Sequence, residues 1–151
     1  MGYWQAIERV LLTLWVGGMW VLGFLVAPTL FAVLESRHVA GMAMGQLLST
    51  MSHLGLVSGA ILLLGLVVQS GPRVFQHWRT WVLTGMLLLL LVGEYGLAPQ
   101  IIRLIGSVAG GIQVGSPEYS QFAILHGVAS SLYLLNCLMG MVLVVRGLQR
   151  K

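Results

Sequence analysis

Charge is what this chain has least of. Asp, Glu, Lys and Arg make up only 8% of its 151 residues, against about a quarter in soluble domains, too few to cover a water-facing surface. The eight basic residues outnumber the four acidic ones, but they sit at the ends of apolar runs and never form a block of five or six. That excludes a nucleic-acid footprint. The one cysteine, Cys137, excludes an intrachain disulfide and any Cys-x-x-Cys metal motif. There is no nucleophile elbow and no His-Glu-x-x-His, and a triad built on His126, Ser130 and Glu94 would demand a geometry that nothing else in the sequence supports. The chain does not read as an enzyme.

What is abundant is hydrocarbon. Hydrophobic residues make up 58% of the chain and the mean hydropathy is +0.92, which describes an all-α, polytopic membrane protein surrounded by lipid. Four apolar runs are each long enough to cross a bilayer: Trp4 to Leu34, Val39 to Gln69 with its crossing part from Met51, Trp81 to Ala98, and Glu118 to Val145. They predict one domain, residues 1–151, of four transmembrane helices in an antiparallel bundle. The first run is too long for a signal-peptide core and lacks a basic flank, so it is read as an uncleaved span. Pro28 is expected to kink the first helix or end it near Ala27, and Pro99 to end the third. Gln100 to Pro117 then reads as a glycine-rich connector, with Ile101 to Ile105 in the interface. Gly41, Gly45 and Ser49, followed by Gly55 and Gly59, make a small-residue seam. Such a seam serves helix packing or a homodimer.

Basic residues assign the sides. Arg9, Arg73, Arg79, Arg146, Arg150 and Lys151 fall on one side, Arg37 and Arg103 on the other. The excess marks the cytoplasm, so both termini are expected to be cytoplasmic and the location a bacterial inner membrane.

Polar residues inside spans are costly because hydrocarbon offers no hydrogen bonds, and they tend to mark function. Glu94 is the only carboxylate well inside a span. From Phe122 to Asn136, the sequence FAILHGVASSLYLLN places His126, Ser130, Tyr133 and Asn136 or Cys137 three or four residues apart, hence on one helical stripe expected to face protein. Ser130 is expected to bond the carbonyl one turn back, and Tyr133, Asn136 and Cys137 to tie helices together. Counting from the prolines puts Glu94, His126 and His53 in the outer third of the membrane. Glu94 and His126 are expected to pair, either to fix helix register or to form a proton-linked or ligand-binding site with Ser130 and Asn136, one that binds or passes a small polar or cationic species. A third possibility is a metal or haem site on His53 and His126, with Met42, Met44 and Met51 nearby. Imidazole and thioether suit copper(I), and two imidazoles can ligate haem. A structural subunit of a larger membrane complex is the remaining alternative.

Three segments together carry a resemblance: WVGGMWVLGFLVAPTLF from Trp15 to Phe31, Gly93 to Arg103 with Pro99, and FAILHGVASSLYLLN. They resemble the small four-span bacterial proteins of unknown function grouped with eukaryotic transmembrane protein 205. More distantly, the pattern is similar to copper-resistance D-type proteins and haem-binding J-type protoporphyrinogen oxidases. The resemblance implies a four-helix membrane domain and hints at metal or solute handling. Those distant relatives carry a histidine in the first helix, where this chain has none between Met1 and Leu34.

Overall fold

The computed structural model describes residues 3–107, 112 and 115–147. Its four helices are α1 (Tyr3–Val33), α2 (Arg37–Ser70), α3 (Trp78–Gly106) and α4 (Pro117–Gly147). All four are long and apolar enough to cross a membrane, and with the family assignment below they make this an integral, multi-pass membrane protein. The turn at residues 34–36 is too short for anything but a reversal. Ser36 Oγ accepts from the Val39 N–H at 3.4 Å and starts α2. Gly71, at φ 53°, stops it in a conformation that a side chain would resist. A single 3₁₀ stretch, Gly71–Gln76, leads into α3. It is fastened by Thr80 Oγ1 donating to the Val74 carbonyl (2.8 Å) and Trp81 Nε1 to that of Phe75 (3.0 Å).

Neither internal proline ends its helix. α1 runs on to Val33 and α3 to Gly106, so Ile101 to Ile105 continue the third helix instead of lying in a connector. The reason is the same in both: a π-helical stretch, Leu22–Val26 or Val92–Leu97, precedes the proline. There Ala27 N–H bonds Leu22 O and Ala98 N–H bonds Gly93 O, five residues back. A proline ring collides with the carbonyl four residues earlier, and the widened turn gives it room. Thr29 Oγ1 donates to the Leu25 carbonyl (2.6 Å) and Gln100 Nε2 to that of Gly96 (2.8 Å), one residue after each proline. Aligned on Ala-Pro, Phe24 matches Tyr95, and Gly23 matches Glu94.

Burial divides the bundle along its length. At the end where α1 begins and α4 finishes, α1 packs on α2, α2 on α3, α3 on α4 and α4 back on α1 in a closed ring. Trp15, Met19, Leu62, Leu66, Leu83, Met86, Cys137 and Leu143 form its core. Trp15 covers Gly55 and Gly59, Gly140 receives Val16 and Met86, and Trp4 lies across Gly65. Glu8 and Arg79 pair at 2.7 Å with side chains only 14% and 12% exposed. The space beside them is about 10 Å³, one water at most. Beyond the π stretches the ring opens. The end of α1 packs on α2 and the end of α3 on α4, but neither makes an extensive contact with the other hairpin. No residue of 22–33 or 92–106 is fully buried. The far half of the molecule is therefore two hairpins, α1–α2 and α3–α4, standing apart. The glycine seam is split the same way: Gly55 and Gly59 are filled from within, whereas a Cβ added at Gly41 or Gly45 would meet nothing within 4 Å.

Candidate functional site

Where the α2–α3 seam opens, it holds the buried carboxylate. Glu94 lies in the π stretch of α3 with its side chain 14% exposed. Ser49 Oγ donates to Glu94 Oε1 at 2.5 Å, and His53 Nδ1 is 4.0 Å from the same oxygen. His53 Nδ1 also lies 2.7 Å from the Ser49 carbonyl. A carbonyl can only accept, so Nδ1 carries the proton and Nε2 is left open. The imidazole side chain is 56% exposed and meets the Tyr95 ring edge-on at 6.4 Å. One turn of α2 thus supplies a hydroxyl and an imidazole to a carboxylate on α3.

The partner of Glu94 is His53 and not His126. His126 is exposed and stacks on Phe122, with centroids 5.5 Å apart. The axial offset of the helices explains the difference. Met86 and Val16 close on Gly140. Moving along α3 from Met86 to Glu94 takes antiparallel α4 back to about Leu132, which leaves His126 roughly 9 Å further along. Because α3 continues past Pro99, Glu94 sits near the middle of its helix, and so does His53. The prolines from which an outer-third depth is counted are therefore not the helix ends.

The stripe on α4 is not uniformly inward. Asn136 and Cys137 are buried and Tyr133 Oη donates to the Met19 carbonyl of α1 at 2.5 Å, but His126 and Ser130 are exposed. The stripe turns outward where the hairpins part and no helix remains to cover it. Back-bonding to the preceding turn is made by Ser131, to Gly127 O at 2.8 Å. Asn136 Oδ1 and the indole nitrogens of Trp15 and Trp20 are buried with no partner.

The residues do not converge on a metal. Among the described residues no three of His, Cys, Asp and Glu come together, so His126 does not join His53 and Glu94. The methionines diverge: Met42 is exposed, Met44 is buried and Met51 packs on Gly18. This is not the donor set that copper or a bis-histidine haem needs.

Two features escape sequence reasoning. Ser49 reads there as a packing residue, although its place one turn before His53 signals a shared face. Glu8 reads as a flanking charge, and its pairing with Arg79 depends on how α1 and α3 are brought together.

No curated protein and no solved structure matches this chain. One family model does, over residues 10–107. That stretch spans most of α1, all of α2 and all of α3, including Ser49, His53 and Glu94 but not His126, Ser130 or Asn136. The chain belongs to the family described as a domain of unknown function, DUF4149.

Proposed function

We propose that this membrane protein binds a small cationic species at Glu94, with Ser49 and His53 as the groups that hold and flank the carboxylate. The observation that carries the reading is the Ser49–Glu94–His53 cluster itself, a carboxylate near the middle of a membrane-spanning helix. In low dielectric a carboxylate is tolerable only with a proton, a hydrogen-bond donor or a counter-charge. Ser49 supplies one neutral donor, which leaves room for a cation.

The site works within a single four-span unit in a bacterial inner membrane, with both termini and the 71–76 turn cytoplasmic and the parted ends of the hairpins outside. The basic residues Arg9, Arg73, Arg79 and Arg146 support that orientation. Arg150 and Lys151, which add to it, lie outside the described residues. The open Gly41–Gly45 stretch of α2 is the surface we assign to a second copy. Likeness to the transmembrane protein 205 group fits a solute-handling role.

The test is titration calorimetry of the full chain in lipid nanodiscs with methylammonium chloride and with sodium chloride. Saturable binding is expected in the wild type and a loss of tenfold or more in Glu94→Gln, whose folding is checked by helical circular dichroism. Binding that survives in a folded Glu94→Gln variant refutes the site.

A further inference from the structure

The cluster at Glu94 stands where the two hairpins separate, and this placement restricts what kind of cation fits. A metal ion requires several oxygen, nitrogen or sulfur ligands around it, whereas the polar groups at this carboxylate are Ser49 Oγ and His53 Nδ1. No third His, Cys, Asp or Glu joins them among the described residues. An aromatic residue adjoins the cluster. Tyr95 stands beside His53 and is 62% exposed. No residue of the helix segments leading outward, 22–33 and 92–106, is fully buried, and neither segment packs extensively on the other hairpin.

From these features we infer that the ligand is an amphiphilic amine: a protonated amine head at Glu94, attached to an apolar body that lies between the parted hairpins and enters sideways from the outer leaflet. This rests on the reading of Glu94 as a cation site and names its ligand class. A single ammonium group matches a single carboxylate in charge, and its N–H groups are donors for the carboxylate oxygens. Its hydrocarbon tail remains in an apolar medium, so no second polar site is required. The opposite seam differs at the matching position. Gly23 stands where α3 has Glu94, and the Tyr133 ring fills the gap against it, with its hydroxyl on Met19 O. One seam is thus plugged and the other carries the charge.

The experiment compares three probes on the full chain in nanodiscs: dodecylamine, methylammonium and dodecanol, read by displacement of spin-labelled stearylamine. Dodecylamine is expected to compete at least tenfold better than either of the others. That advantage should disappear in Glu94→Gln and persist in Glu118→Gln, a carboxylate outside the site. If methylammonium binds in a Glu94-dependent way and dodecylamine gains nothing over it, the ligand class is wrong while the cation site stands. If dodecanol competes as well as dodecylamine, the opening is merely apolar and the inference fails. If no cation binds in a Glu94-dependent manner, both readings fall together.

Discussion

Alanine substitution along α2 should separate the packed half of its small-residue seam from the open half, with opposite signs. At Gly55 a Cβ would stand 2.5 Å from Trp15 Nε1 and 2.8 Å from Leu90 Cδ1; at Gly59 it would stand 2.6 Å from Leu87 Cδ2 and 3.1 Å from Trp15 Cη2. Trp15 is 2% exposed, so its ring has nowhere to move without displacing the core. Overpacking of this kind costs about 1–3 kcal/mol, offset in part by the ~1 kcal/mol that alanine gains over glycine in a helix. At Gly41 and Gly45 nothing of the same chain lies within 4 Å, so in micelles dilute enough to keep the chain monomeric only the gain operates. Gly55→Ala should therefore destabilise by up to about 2 kcal/mol, and Gly41→Ala should stabilise by up to ~1 kcal/mol. The assay is reversible unfolding of the full chain in mixed detergent micelles, followed by far-ultraviolet circular dichroism. Trp15→Phe in the Gly55→Ala background is the control: the smaller ring frees space, so the double variant should be more stable than the sum of the two singles predicts. Equal effects at Gly55 and Gly41, or an additive double variant, would refute the packing argument.

Two further outcomes follow from the near half of the bundle. Arg79→Gln should cost about 3 kcal/mol, because it removes the guanidinium paired with the largely buried Glu8 carboxylate, and the Glu8→Gln/Arg79→Gln double variant should recover most of that; melting of the four proteins completes the cycle. Tyr133→Phe removes a hydrogen bond to the Met19 carbonyl and should cost only about 1 kcal/mol. Gly23→Ala, whose Cβ would meet Tyr133 Cε1 at 2.8 Å, should cost more, and the reverse order in melting temperature would show that the hydroxyl outweighs the ring.

The site was only half legible in the sequence. Glu94 stands out because a carboxylate in an apolar run has no solvent to hold it, and that argument needs no partner. Choosing the partner required relative depth, and depth was counted from prolines that prove not to be helix ends. The π stretches that carry α1 and α3 past Pro28 and Pro99 rest on bonds five residues back, which the apolar periodicity does not reveal. The stripe on α4 was likewise correct as a stripe: His126, Ser130, Tyr133 and Cys137 do share a helix face. Only its inward half is buried or bonded to another helix.

Class and span number were settled by local chemistry. Runs of some 20 apolar residues interrupted by polar turns have one stable arrangement in lipid, since every backbone amide must bond within its own helix. Reversals as short as 34–36 then require antiparallel neighbours. Axial offset is different in kind, because apolar helices can slide past each other with little change in burial until particular side chains interlock. Here the interlocking is Trp15 over Gly55 and Gly59, and Val16 and Met86 into Gly140. Those contacts bring Ser49 and His53 level with Glu94, leave His126 beyond reach, and let the hairpins part above them. They belong to the assembled bundle alone.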